Sequence, residues 1–338
     1  MRQRVTAGVG AALLVAVVFA LNFYRLPVVA LSPGPAEDVL SRIRVSGRMA
    51  VYDSKGSLYL TSVGIDDDVR FYEALLDLAN HDVQVLPRAD LYPQGESPQE
   101  IDRRNAVDMD DSKTNATVAA LRELGYRVSP SAVVVVDVAR GAPAAGRLRE
   151  DDRILRVDGR AVHSIAEIQQ AIGRHRPGER VVLRVRRGRA EQDVTVGTRA
   201  SDDPPARPQV GVVLREDFQN LPVSVTIDTE NIGGPSAGLI FAISIVDKLT
   251  PEDLTAGRRI AGTGEISVDG AVGRIGGIAE KLVAARRQGA TIFLVPAGNC
   301  GEARSAAPAG LRLVRVANLE DALRFLRQDP RTASAPGC

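Results

Sequence analysis

Twenty consecutive residues without a charge separate Arg4 from Arg25, and residues 11–19 of that run read AALLVAVVF. Coiled as a helix, such a run is about 30 Å long, the thickness of the hydrocarbon core of a bilayer. A chain with this start places those residues in a membrane or loses them. The first reading makes residues 1–30 a short cytoplasmic stub and a transmembrane anchor, because Arg2 and Arg4 precede the run and positive charge stays inside. The remainder then faces outward from the cell membrane in a single-pass protein. The competing reading is a cleaved leader, with Val28-Val29-Ala30 as a small-residue cleavage site, although the run exceeds the usual length of a leader's apolar core.

The 338 residues suffice for roughly two domains. A net charge of +1 supplies no electrostatic footprint for nucleic acid. Cys300 and Cys338 are the only cysteines. An outward-facing domain permits them to pair, and two unpaired thiols are the alternative. Only four of the 43 basic residues are lysines (Lys55, Lys113, Lys248 and Lys281).

Met49, Val51, Leu58 and Leu60 alternate around Ser54-Lys55-Gly56, which predicts a hairpin over residues 47–63. Helices are expected at about 69–79 and 98–124, the second ended by Gly125. Three prolines mark residues 201–208 as a linker, and the residues from 328 onward read as a tail. Between them, residues 132–138 are a β-branched run, 154–162 a hairpin with an Asp158-Gly159 turn, and 164–175 a helix with Ile165, Ile168 and Ile172 on one face. Two strands follow around Arg187-Gly188.

The stretch GAPAAGRLREDDRILRVDGRAV, within residues 126–200, resembles a PDZ domain of the bacterial protease-associated type. The resemblance implies a small β-rich module that binds protein or peptide substrates in a groove. Asp151-Asp152 stands where that family has Gly-Asp, and no Gly-hydrophobic-Gly carboxylate loop is recognisable near Val128-Ser129-Pro130.

Beyond the linker, an alternating strand at 223–227 runs through Gly233-Gly234-Pro235 into an apolar helix from about Ser236. A serine there serves as an N-cap or as a nucleophile, since the amides at a helix start face an incoming oxyanion. Lys281 falls on or beside the apolar arc formed by Ile278, Leu282 and Ala285, with Glu280 and Arg287 opposite. It either snorkels to water or is buried and loses its proton, as a base must. No histidine lies after residue 175, since only His81, His163 and His175 occur. There is no zinc-ligand spacing and no phosphate-binding loop, so no metal, cofactor or ATP is expected.

The motifs GGPSAG, GTGEISVDGAVGRIGGIAEKLVAA and FLVPAGN are similar to those of the proteolytic domain of Lon-type Ser-Lys proteases, in the same order. With the apolar start and the PDZ-like stretch, the chain resembles the ATP-independent, membrane-anchored PDZ-Lon peptidases of Gram-positive bacteria. The resemblance implies an α+β fold with Ser236 as nucleophile, Lys281 as general base, Thr263 orienting the lysine, and Gly234 and Pro235 shaping the turn. It also implies homo-oligomerisation. Gly233 replaces an acidic residue found in many Lon proteases. The expected layout has a first catalytic segment at 31–125, an inserted PDZ domain at 126–200, a linker at 201–208, a proteolytic segment at 209–327 and a tail at 328–338. The rival readings are a membrane-tethered PDZ scaffold with an inactive protease domain, and an RNA- or nucleotide-binding module, which the charge disfavours.

Overall fold

The structure, a computed structural model, describes residues 25–47, 49–80, 82–92, 98–201, 205–229, 232–328 and 337–338. The apolar run at 5–24 lies outside them, as do His81, residues 202–204 of the expected linker, Glu230-Asn231 and residues 329–336 of the tail. Among the described residues no helix is long and apolar enough to cross a membrane. The chain divides into two compact units. One joins the residues up to Tyr126 with Val223–Cys338, and the other is Arg127–Pro222.

In the first unit a six-stranded mixed sheet runs in the order Arg312–Val316, Ile292–Pro296, Arg259–Gly262, Ser57–Asp66, Val28–Asp38, Gln84–Pro87. The first four are parallel to one another, and Val28–Asp38 pairs antiparallel with both Ser57–Asp66 and Gln84–Pro87. Alternation along the strands divides the core. Tyr59, Ala261, Phe293 and Val295 pack with Ile278, Leu282 and Ala285 of the helix Ile278–Arg287. Gly262 points the other way, and a Cβ there would come within 2.9 Å of Ile240 on the helix Gly238–Leu249. That helix is buried nearly all round, which explains its near-continuous apolar sequence, and it packs against the 26-residue helix Pro98–Glu123.

Three expectations change here. The hairpin over 47–63 does not form. Ile43–Gly47 pairs with Val223–Ile227, across the second unit in sequence, and Ser57–Asp66 takes its partners from Val28–Asp38 and Arg259–Gly262. Ser54-Lys55-Gly56 is a docking loop. The Gly56 N–H donates to Thr255 Oγ1, and a Cβ on Gly56 would lie 2.2 Å from the Arg258 carbonyl oxygen. Residues 28–30 belong to the sheet rather than to an anchor. Val29 is wholly buried, and cleavage after Ala30 would remove Val28, Val29 and Ala30 from their pairing with Pro87, Leu86 and Val85. Glu280, expected on the solvent side, is buried because the Cys300–Ser305 helix packs on its helix in addition to the sheet. Burial pushes its carboxyl up, and Oε2 finds no hydrogen-bond donor among the described residues.

Cys300 and Cys338 form a disulfide across 38 residues of sequence. Closing a loop of that length contributes about 4 kcal/mol on the chain-entropy account. Both cysteines join the cluster that backs the Ile278–Arg287 helix.

The second unit is an antiparallel sheet in the order Val212–Asp217, Ala132–Val138, Arg153–Val157, Arg180–Arg187, Ala190–Gly197, with one helix, Ile165–Ile172. Val133, Ile154, Val157, Ile168, Ile172 and Leu183 form its core. Asp158 (φ 48°) and Gly159 (φ 79°) make the expected tight turn. Asp151 explains itself: it holds φ 66°, where glycine would be at ease. Asp152 is fully buried, which alone would raise its pKa. A two-pronged bond from Arg187 (2.7 and 2.6 Å) and the Arg149 N–H instead hold it below the usual range.

The far boundary of this compact unit differs from the expected segment boundary. Val212–Asp217 completes the sheet beside Ala132–Val138, so residues 209–222, expected at the start of the proteolytic segment, pack in the Arg127–Pro222 unit. Across the expected linker, Pro208–Gln209 pairs with Arg199–Ala200. A proline at a short edge strand is compatible with pairing.

Candidate active site

The turn between Val223–Ile227 and Gly238–Leu249 is held from two sides. From the long helix, the Asn105 carbonyl accepts the Gly234 N–H (2.9 Å) and Ser112 Oγ donates to the Pro235 carbonyl (3.0 Å). The two glycines are required. Gly234 sits at φ 84°, and a Cβ on Gly233 would lie 2.9 Å from Asn105 Cβ. From the other side, Thr263 Oγ1 (2.9 Å) and the Gly264 N–H (2.7 Å) donate to the Ser236 carbonyl. Ser236 is not the N-cap. The helix begins two residues later with Ala237 as cap residue, so the serine hydroxyl has no capping duty.

That hydroxyl meets Lys281. Its Nζ donates to Ser236 Oγ at 2.6 Å and to Thr263 Oγ1 at 3.2 Å, and the lysine is only 4% exposed. Burial lowers its pKa from 10.5 to about 8. At pH 7 about one lysine in ten is then neutral, against roughly one in 2,500 for an ordinary lysine. A neutral Nζ at this distance accepts the Ser236 proton. Thr263 locks the arrangement by donating to the Ser236 carbonyl while accepting from the lysine. Ser236, Lys281, Thr263, Gly234 and Pro235, singled out separately in the sequence, stand together here.

Thr263→Val keeps the shape and removes both hydrogen bonds. Loss of about 1.4 kcal/mol of positioning should lower kcat about tenfold, with KM little changed. Thr263→Ser should restore it. Equal turnover by the valine variant in a steady-state peptide assay would remove Thr263 from the site.

Asn105, Ser112 and Asn299 were not singled out from sequence. Ser112 carried a signal, since it shares the spacing of the buried Met109, Ala116 and Ala119 on one helix face. Asn299, also buried, clamps Ile275 through both its amide and its carbonyl (3.0 and 2.9 Å), which fixes the approach to the lysine helix. Asn105 acts through its backbone, and no side-chain pattern reveals that.

A cleft of about 660 Å³ opens over the pair, lined by Leu31, Leu60, Met109, Ile232 and Ile275 among others. Thr61 Oγ1 is buried at its wall without a hydrogen-bond partner among the described residues. Glu265 stands on the rim, its pKa raised by partial burial and by Asp108. No hydrogen bond takes up the N–H of Ser236 or Ala237 among the described residues. No cluster of metal-ligating side chains occurs among them either.

In the other unit a groove of about 550 Å³ runs between the edge strand Val212–Asp217 and the helix Ile165–Ile172, lined by Ile165, Ile168, Ile172, Val212 and Leu214. Val212–Asp217 is an edge strand of its sheet, and Ala132–Val138 lies inside the sheet next to it. Gly211 opens the strand at φ 78°, with no room for a Cβ against Ala142 (2.4 Å).

Residues 107–198 match the family model of the PDZ domain, and residues 216–326 that of the Lon protease (S16) C-terminal proteolytic domain. The first match begins inside the Pro98–Glu123 helix, which packs in the other unit. The chain is 36% identical over 105 residues to the Lon protease of Neorickettsia sennetsu, covering 30% of this chain and 12% of that protein. It is 36% identical over 117 residues to that of Porphyromonas gingivalis, covering 33% and 14%. The chain thus spans about an eighth of the length of these curated relatives. The PDZ domain of an SdrC-like protein from Listeria monocytogenes is 27% identical, with a TM-score of 0.24, covering 26% of this chain and 93% of that one. The chain carries a PDZ domain and a C-terminal proteolytic domain of the Lon serine-peptidase type.

Proposed function

We propose that this chain is a membrane-anchored serine endopeptidase that works without ATP on extracytoplasmic proteins or peptides, with Ser236 and Lys281 as its catalytic pair. The observation that carries the reading is the buried Lys281 Nζ at 2.6 Å from Ser236 Oγ. Neutral Lys281 takes the hydroxyl proton as Oγ attacks the peptide carbonyl. The N–H groups of Ser236 and Ala237, which no hydrogen bond takes up among the described residues, are the donors for the oxyanion. Lys281 then returns the proton to the leaving amine, the C–N bond breaks, and a water deprotonated by the same lysine releases the acyl group.

Three features support the rest of the reading. The 5–24 run is of membrane-spanning length, the Cys300–Cys338 disulfide suits an oxidising compartment, and the sequence has no nucleotide-phosphate loop. The groove along Val212–Asp217 would take an extended peptide as an added strand.

The test is cleavage of an unstructured protein and of a short peptide by the purified chain. Both rates are expected to be indifferent to ATP and Mg²⁺. Replacing Arg127–Pro222 with a Gly-Ser link should leave peptide cleavage intact and lower protein cleavage roughly tenfold, the worth of about 1.4 kcal/mol of docking. A nucleotide requirement, or equal loss on both substrates, contradicts the reading.

A further inference from the structure

The helix Phe71–Ala79 is seated with its apolar side outward. Turned at 100° per residue, Phe71, Tyr72, Leu75, Leu76 and Leu78 share one arc, and Glu73 and Asp77 lie together outside it. A helix resting on a core would turn those leucines inward. Here only Ala74 is buried, against Ala30 and Val69. Leu75, Leu76 and Leu78 are 62%, 65% and 73% exposed, the three most exposed large apolar side chains among the described residues. Glu73 is occupied at the helix start, where it accepts from the Arg70 N–H and the Tyr72 hydroxyl, both at 2.8 Å.

Exposed leucines alone say only that something covers them. Their position says what. Arg25, the first described residue, forms a β-bridge with Arg70, the residue just before this helix. The Leu26 N–H donates to the Val69 carbonyl (3.1 Å), and Arg25 pairs with Asp68 (2.8 Å). The uncharged run at 5–24 therefore joins the fold at the N-terminus of Phe71–Ala79. A helix of nine residues is about 14 Å long, so all its leucines lie close to the point where that run ends.

We propose that the outward face of Phe71–Ala79 lies in the headgroup–acyl boundary of the bilayer that holds residues 5–24, as a second contact between the proteolytic unit and the membrane. The inference rests on the anchor reading above. The charges nearby select the surface. Arg25 and Arg88 are engaged with Asp68 and Asp67, Arg70 is offset by the neighbouring Glu73, and Asp66 and Asp77 add negative charge. Contact is therefore apolar insertion into a zwitterionic surface and not attraction to anionic lipid. Two points of attachment would limit how far the unit tilts on its tether.

The chain contains no tryptophan, so Leu76→Trp introduces a single indole, and Val51→Trp, at another exposed site, serves as control. Each full-length variant is reconstituted into phosphatidylcholine vesicles with and without nitroxide-labelled lipid, and flotation is checked on the same samples. The expected result is a chain that floats, with the Leu76→Trp indole blue-shifted and quenched at a depth of roughly 5–10 Å into the boundary, and the Val51→Trp indole water-exposed and unquenched. A chain that floats with an unquenched Leu76→Trp indole overturns the inference and leaves the anchor standing. In that case, a blue shift that grows with protein concentration assigns the face to a second copy. A chain that does not float removes both readings.

Discussion

Ser236→Ala is expected to lower peptide cleavage by roughly 10⁴-fold or more, and Lys281→Met by about 10²–10⁴-fold, with both proteins folded. The hydroxyl oxygen is the atom that forms the acyl bond, and among the described residues no other serine is hydrogen-bonded to the Lys281 ammonium. The lysine variant retains a hydroxyl beside the amides of Ser236 and Ala237, so its loss is smaller. The double variant should be no worse than Ser236→Ala, because nucleophile and base act as one unit. Steady-state rates on one peptide for the three variants decide this, and additive losses would mean that the two groups act separately.

The second expectation concerns pH and stability together. Lys281 must lose its proton to act, so kcat/KM should rise about tenfold per pH unit below the lysine pKa of about 8 and level off above it. The same burial works against folding. The folded-state pKa lies below the ordinary 10.5, so below about pH 8 the protonated lysine costs about 3 kcal/mol of stability. That cost fades as pH rises from about 8 toward 10.5. Lys281→Met should therefore be more stable than the parent by about 2 kcal/mol at pH 7, after about 1 kcal/mol for its lost hydrogen bonds. The gain should shrink at alkaline pH. Denaturant unfolding at two pH values measures it. A less stable methionine variant at pH 7 would place the lysine in a solvated setting, where it could not serve as base.

The candidate site was legible in the sequence through motifs that resemble a known family, while position alone left Ser236 and Lys281 each with a structural alternative. Gly233-Gly234-Pro235-Ser236 states a tight turn before an apolar helix, and Lys281 stands out as one of four lysines on an apolar helical face. What was not legible depends on partners distant in sequence. Strand Val212–Asp217 pairs back to Ala132–Val138, and nothing in its own residues distinguishes that from the start of the next domain. Alternation around Ser54-Lys55-Gly56 suggested a hairpin, yet Val51 is 48% exposed and the loop docks on residues 253–258. Glu280 was assigned to solvent by helical spacing, which holds only while one face of a helix is covered. The inverted helix Phe71–Ala79 shows the opposite case, an amphipathic pattern whose apolar side faces away from the fold.

The central claim is that Ser236 is a nucleophile made reactive by Lys281. It is tested most directly by treating the full chain with a fluorophosphonate that traps reactive serines and locating the adduct by peptide mass spectrometry across a pH series. The account predicts one adduct, on Ser236, forming faster as pH rises through about 8, absent from Ser236→Ala and strongly slowed in Lys281→Met. An adduct on another serine, or labelling of Ser236 at the same rate without Lys281, would contradict it.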